Sequence, residues 1–453
     1  MNILDKNPSD GRFIVKDSYS LVLALFCCSL LMHFLLESKG IFVLPIILLL
    51  INYKWWLVSL VNIIIGLIYL ISNFPRQGNH ANIETFIGFF ILLLFLNQYC
   101  SRKTLNISSS LLSIFFRIFT VCIYFYAGFH KLNSAFLDMS VSCANDYTID
   151  ITNTFFENET ISLLNFLIPY AVIVIEMVVP FGLFWYKSRK VVSIILIVFH
   201  LYLIAFSFGN FSALAFFLIL ASLIDFDAVI PARIINLLKI YMLSVLLCAC
   251  YNIFKIDPVF LRANYTVIFA VYILTFSVGA ILFFAGFLKE YIPKRDMLRL
   301  NHFPILISLI IFVSFWGLKN YIGLGTIGNF TMFSNLVTES NRSNHFIIDT
   351  KFTKIFPFEE DNVRILRLDG QSKWKKQQIL NFTEILIPTT EFSYLIHEWS
   401  ENSKDKINCT LVYRGQIFEV EDLRTSKFSV FYWWYKFIPF RVIQVNGQNI
   451  CRW

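Results

Sequence analysis

Charge is what this sequence has least of: Asp, Glu, Lys and Arg make up 15% of its 453 residues, against about 25% in an ordinary soluble domain. That deficit, with 57% hydrophobic residues and a mean hydropathy of +0.65, excludes a soluble enzyme as the main body of the chain. The net charge of +8 is spread over loops without a long basic run, which excludes nucleic acid as a partner. No CxxC, HExxH or His-rich tract occurs, so no metal is expected. Cys27, Cys28, Cys100, Cys122, Cys248 and Cys250 fall within or at the ends of apolar runs and read as small buried hydrophobes. The first apolar run ends at Leu35 and Leu36 without a small-residue cleavage site, which marks an uncleaved span rather than a signal peptide. No internal repeat is visible, and the proline breaks Pro169 and Pro180 fall in one span, a pattern that ranks a transporter last.

What the sequence does have is apolar runs of about the 20 residues that cross roughly 30 Å of hydrocarbon as a helix. They lie at 19–36, 55–71, 83–100, 107–129, 161–186, 191–208, 211–230, 234–254, 265–287 and 303–321, with a shorter run at 41–52. Lys187, Arg189 and Lys190, then Lys289, Lys294, Arg295 and Arg299, and Arg102 with Lys103 mark inner loops. The segment 133–158 carries Asp138, Asp146, Asp150 and Glu157 and no Lys or Arg after Lys131, as an outer loop would. With the short run counted as a crossing, the signs alternate over about eleven spans and place the N-terminus in the cytoplasm and the chain after Tyr321 outside. The expected fold is an all-α polytopic membrane bundle of about 9–11 transmembrane helices, residues 1–323, with a small extracytoplasmic α/β domain, residues 324–453. That last stretch holds 16 of the 38 basic and 14 of the 30 acidic residues. Alternation at 363–368, 409–413 and 416–420 predicts strands, and 441–445 before Asn446-Gly447 a hairpin. Thr390, Phe392, Leu395, Ile396 and Trp399 have the spacing of one amphipathic helix. Cys409 and Cys451 both fall in this domain and could form a disulfide, while Cys143 in the outer loop reads as a reactive, paired or simple loop thiol.

Ionisable residues inside the bilayer are costly unless paired or facing a cavity. Arg117 lies about 14 residues, or roughly 21 Å, beyond Lys103, and Glu176 and His200 each lie about 12 residues, or roughly 18 Å, from the inner turn at Ser188. One reading is a polar chamber at a single depth in the membrane that binds a cofactor through Arg117 and Glu176. The other is an Arg117–Glu176 ion pair with His200 hydrogen-bonded between helices. At the outer end of its span, Tyr124-Phe125-Tyr126-Ala127-Gly128-Phe129-His130-Lys131-Leu132-Asn133 places a lysine among Phe125, Tyr126, Phe129 and Phe136. There the small Ala127-Gly128 step admits a neighbouring helix or a flat ligand to the backbone. Burial favours an uncharged amine, which can act as a base; the plain alternative is a lysine that snorkels and caps the helix end.

The run from Ile123 to Asn133 resembles the signature of the horizontally transferred transmembrane family, which includes vitamin K-dependent gamma-carboxylase. Phe199-His200-Leu201 through Phe206-Ser207-Phe208-Gly209-Asn210-Phe211 looks like that family's histidine-bearing span and following glycine turn. Met332-Phe333-Ser334-Asn335-Leu336 through Asn341-Arg342-Ser343-Asn344-His345 resembles the segment after the last span in bacterial-type members. The resemblance implies that Lys131 is the base acting on vitamin K hydroquinone or another lipid quinol, that His200 is a polar group orienting it, and that His130, Tyr126 and Gly128 belong to its pocket. It implies a carboxylase or quinol epoxidase-like enzyme, multi-pass in the plasma membrane if bacterial, with membrane lipids and a secreted peptide or protein as partners. The family's carboxylase has a much larger luminal portion than the roughly 110 residues of a small single core here. The alternative is a non-enzymatic membrane protein for maturation, binding or immunity of a secreted peptide.

Overall fold

The computed structural model describes residues 4–6, 13–35, 40–100, 109–145, 161–204, 209–253, 258–295, 302–339, 342–369, 385–402 and 406–444. After a short antiparallel pair, β1 (Leu4–Lys6) with β2 (Phe13–Val15), the chain runs through α1 (Asp17–Leu35), α2 (Val43–Ile51), α3 (Trp56–Asn73), α4 (Asn79–Cys100) and α5 (Ser109–Phe129). It continues through α6 (Ile161–Ile173), α7 (Arg189–Ile204), α8 (Gly209–Leu223), α9 (Ala232–Ile253), α10 (Pro258–Glu290) and α11 (Phe303–Leu318). Among the described residues, seven helical stretches are long and apolar enough to cross a membrane, and three shorter ones are apolar. The protein is a multi-pass membrane protein of mostly helical fold with a small mixed α/β region at its C-terminal end.

Burial explains the arrangement. On α3, Leu57, Val61, Ile64 and Ile68 recur at helical spacing on an exposed face while Ser59, Asn62 and Gly66 are inside. An exposed apolar stripe over a polar interior is the inverse of a water-facing helix and suits a lipid solvent. Residues 17–34 of α1 are apolar all round and almost wholly buried, as a central helix should be. Between α1 and α3, α2 has nine residues, about 14 Å of rise, or half the hydrocarbon thickness. It nonetheless runs antiparallel to α1: Phe42, just before it, stacks on Phe34 near the end of α1 with ring centroids 4.3 Å apart. At the other end, Lys54 pairs with Asp17 at the start of α1 at 2.7 Å.

By contacts the chain forms two compact units, 1–72 with 80–124 and 178–312, and 73–79 with 125–177 and 313–453. In the second unit a five-stranded antiparallel sheet has the order β6 (Gln416–Val420), β5 (Asn408–Tyr413), β3 (Asn362–Asp369), β4 (Ile385–Pro388), β7 (Ile443–Gln444). The inward residues of β3 and β5, Val363, Ile365, Cys409 and Leu411, meet Phe392, Ile396 and Trp399 of α12 (Thr389–Asn402) in one core. The expected strands and amphipathic helix are therefore present. Cys409 is a buried, reduced thiol in this core, so the Cys409–Cys451 disulfide is not formed; its position serves packing. Cys143 is disulfide-bonded, the paired state among those expected. Asn446-Gly447, Phe206–Phe208, Asn341 and Cys451 lie outside the described residues. The turn between α3 and α4 is gripped from the C-terminal region: Arg76 donates to Glu391 Oε1 at 2.6 Å and the Tyr435 carbonyl at 2.9 Å, its guanidinium 3.4 Å from the Tyr394 ring centroid.

Candidate functional site at the ends of two helices

The site is built on the end of α5. At Gly128 a Cβ would lie 2.8 Å from the Met177 backbone nitrogen and 2.9 Å from its Cβ, so the absence of a side chain is what admits the neighbouring segment, as the Ala127-Gly128 step suggested. That segment is a π-helical turn, Val174–Val178, between α6 and the 3-10 stretch Val179–Phe184. It brings Glu176 Oε2 to 2.6 Å from Lys131 Nζ. Lys131 is 3% exposed and also donates to the carbonyls of Ala127 at 3.2 Å and Met332 at 3.0 Å. Three donors thus have three acceptors, the full capacity of an ammonium. The bond to Ala127, four residues back, caps the helix end. The lysine does not snorkel; its Nζ is turned inward, 5.8 Å from the ring centroid of Phe136.

The segment after α11 closes over these groups. Three motif residues take carbonyls from it: His130 Nε2 faces the Asn329 oxygen at 3.2 Å, Lys131 the Met332 oxygen, and Asn133 Nδ2 the Ser334 oxygen at 2.6 Å. Phe330, Phe333 and Asn335 adopt positive φ of 66°, 47° and 50°, each costing about 1 kcal/mol or more and persisting where contacts over-determine the backbone. Since a carbonyl only accepts, His130 carries its hydrogen on Nε2, and Nδ1 accepts from the Tyr321 hydroxyl at 2.9 Å. Burial, with His345 and Lys131 nearby, pushes His130 down to about 3, so it is neutral at physiological pH. His345 donates from Nε2 to the Phe129 carbonyl at 3.0 Å, and Asn344 Nδ2 to Asn133 Oδ1 at 3.1 Å. The two motifs 123–133 and 332–345 therefore meet in space.

The other expected site residues fall in the first compact unit. Arg117, 2% exposed, donates from Nε and a terminal nitrogen to the Ser222 carbonyl at the end of α8, at 3.2 and 3.0 Å. His200 Nε2 pairs with the Tyr124 hydroxyl, with Phe199, Phe211 and Phe216 around its ring. Glu176 takes Lys131 as its counter-ion, and not Arg117 as in the ion-pair alternative. The depth counted for Glu176 assumed a regular rise of about 1.5 Å per residue, which its π and 3-10 turns do not have.

Two features escaped the sequence reading. Glu84 on α4 is fully buried and accepts from Ser29 and His33 of α1, the latter at 2.6 Å; its signal was a lone carboxylate opening an apolar run. At the end of α11, Gly317 lies against the Tyr126 ring, where a Cβ would be 2.6 Å from Cγ. Just beyond, Lys319 is 4% exposed and Asn320 fully buried. Neither Lys319 Nζ nor either amide atom of Asn320 has a hydrogen-bond partner among the described residues. The signal there was a cation near the end of an apolar run. Among the described residues no three His, Cys, Asp or Glu side chains converge as a metal set. Compared with protein-family models, curated proteins and solved structures, the chain has no significant match to any.

Proposed function

We propose that this is an integral membrane enzyme whose Lys131–Glu176 centre acts on a lipid-soluble quinol, vitamin K hydroquinone or a relative, to modify an extracytoplasmic peptide or protein. The observation that carries this reading is the buried pair itself: an ammonium and a carboxylate 2.6 Å apart, caged by carbonyls on the motif where the family resemblance puts a base. Lys131 becomes a base by passing a proton to Glu176, a transfer that the short contact supports. Lys319 and Asn320, beside Trp316, carry buried polar atoms without a hydrogen-bond partner among the described residues, which hydroxyl groups of a flat ring would satisfy. Those two side chains would hold its oxygens, and a bound quinol would supply reducing electrons for oxygen chemistry. The aromatic walls keep water out, and neutral His130 offers its environment no extra charge.

An outward-facing C-terminal region is supported by the disulfide at Cys143, since such bonds persist outside the cytoplasm, and by the absence of basic residues from 133 to 158. The antiparallel run of α2 against α1 supports eleven crossings and a cytoplasmic N-terminus. The test is oxygen-dependent oxidation of a reduced vitamin K-type quinol by the purified protein. Epoxide formed by the native protein and lost in Lys131→Ala is the expected result; no turnover with several quinols by folded protein overturns the reading.

A second reading rests on the complete hydrogen bonding of Lys131, which also suits a structural ion pair. A non-enzymatic maturation, binding or immunity protein would keep its function in Lys131→Ala and lose it when the segment after Phe346 is removed.

A further inference from the structure

The starts of α5 and α7 and the ends of α8 and α10 meet in the first compact unit around a cavity of about 340 Å³. Ser109, Ser113 and Arg117 recur every four residues along α5 and so share one face of it, and all three line the cavity. Arg117 stands about 12 Å along the helix from Ser109, so the cavity runs from the helix ends into the interior. Arg189 opens α7 and donates from Nε to the Leu183 carbonyl and from a terminal nitrogen to the Lys294 carbonyl, both at 2.8 Å. Those bonds fix its guanidinium in the wall, and both arginines are buried, 2% and 3% exposed. Four basic side chains, Arg117, Arg189, Lys294 and Arg295, line the cavity against two acidic ones, Asp225 and Glu290. Asp225 takes Lys294 Nζ at 2.8 Å and Ser109 Oγ at 3.0 Å, and Glu290 lies 4.0 Å from Arg233, outside the lining. The lining therefore carries an excess of positive charge. Its remaining wall is apolar, with Leu223, Ile234 and Phe287 inside and Val229 and Ile292 at the rim, 86% and 76% exposed.

We propose that this cavity binds the phosphate headgroup of an acidic phospholipid. The two buried arginines supply the positive field inside, Arg295 guards the mouth, where it also faces the Tyr186 ring with centroid 5.2 Å away, and the acyl chains leave along Val229 and Ile292. A free phosphate would use the same charges and leave those two aliphatic side chains bare, so the rim favours the amphiphile. The basic residues at the start of α7 and the end of α10 are also the ones whose charge puts this end in the cytoplasm, where basic clefts between spans receive acidic headgroups. The inference is independent of the quinol reading, since the Lys131–Glu176 pair belongs to the other compact unit.

The deciding measurement is native mass spectrometry of the full-length protein, stripped of lipid in detergent and titrated separately with phosphatidylglycerol, phosphatidylcholine and inorganic phosphate. The first phosphatidylglycerol should bind about tenfold or more tightly than the first phosphatidylcholine, and inorganic phosphate should not displace it at equal concentration. Arg189→Gln removes one charge from the wall, and Ala228→Trp fills the cavity while leaving every charge in place. Each should weaken the first phosphatidylglycerol about tenfold or more, the scale of one hydrogen bond to a charged group. Should Arg189→Gln fail to fold, Ala228→Trp, in the turn after α8, still decides. Equal affinity for the two lipids, or phosphatidylglycerol affinity kept within about twofold in folded Ala228→Trp, overturns the proposal. Inorganic phosphate that binds as tightly as the acidic lipid, and is lost in Ala228→Trp, overturns the lipid as occupant and makes the cavity a site for a free anion.

Discussion

The ends of α5 and α11 each bury a lysine in the same compact unit, yet among the described residues Lys131 has three acceptors and Lys319 has none. Burial is almost equal, 3% against 4%, so what differs is what each helix end admits. At α5, Gly128 lets a backbone approach and with it a carboxylate; at α11, Gly317 is spent on a tyrosine ring, and the lysine beyond it meets the face of an indole. A glycine two or three residues before a buried cation thus decides its chemistry through the neighbour it lets in. Removing one partner of the first lysine should have the largest effect. Glu176→Leu leaves a buried ammonium without its counter-ion and should destabilise by about 3–5 kcal/mol. Adding Lys131→Met should restore most of the loss, because an apolar pair replaces an ionic one. Thermal unfolding of both variants in detergent checks this, and a double variant no better than the single would mean the pair is not what holds this region.

A third buried charge in the unit sharpens the contrast, since it has a partner and a like-charged neighbour at once. Glu359 pairs with Lys354, and burial together with the charge of Glu339 pushes it up to about 7, above its ordinary value of 4.5. Folded protein then holds a proton that unfolded protein has lost between these values. Its contribution to stability is present below about pH 4.5 and disappears as pH rises through 7, with an upper limit of about 3 kcal/mol. Glu359→Gln should flatten that decline, raising the melting temperature at pH 8 more than at pH 5. Equal shifts at both values would show that Glu359 is charged throughout.

Much of this was legible in the sequence. Helix positions followed from apolar runs, and the C-terminal strands and helix from periods of two and 3.6, because both patterns are local. The close approach at Ala127-Gly128 was also readable, since two small residues on a helix end invite a neighbour. The identity of the neighbour was not: Glu176 sits on a π turn, which no residue count along a regular helix can place. Nor could composition show that 125–177 folds with 313–453, as long-range contacts leave no period. A disulfide at Cys409 was one possibility, because cysteine in a small outer domain is often paired, and only the sheet register makes it a core residue beside Leu411.

The approach at Gly128 can be tested alone. Gly128→Ala places a methyl 2.8 Å from a backbone nitrogen, which cannot swing aside like a side-chain tip, so the π turn must retreat. A loss of about 1–3 kcal/mol is expected, together with a longer Lys131–Glu176 contact in a structure of the variant. An unchanged contact would mean that the turn is held by something other than the missing side chain.

The smallest effect should come from the bare lysine. Lys319→Met keeps the length of the side chain, removes an amine that satisfies no acceptor, and leaves no partner stranded, so stability should change by less than about 1 kcal/mol, toward stabilisation. The matching Lys131→Met strands the Glu176 carboxylate and should cost about 3 kcal/mol or more. Melting curves of the two variants side by side give the sign directly. If Lys319→Met proved as damaging as Lys131→Met, the amine over Trp316 would be an ammonium held by interactions stronger than the ring, and the two helix ends would be equivalent after all. If it is neutral or stabilising, a buried amine has been kept at a cost to the fold, which is the expected mark of a residue retained for its chemistry.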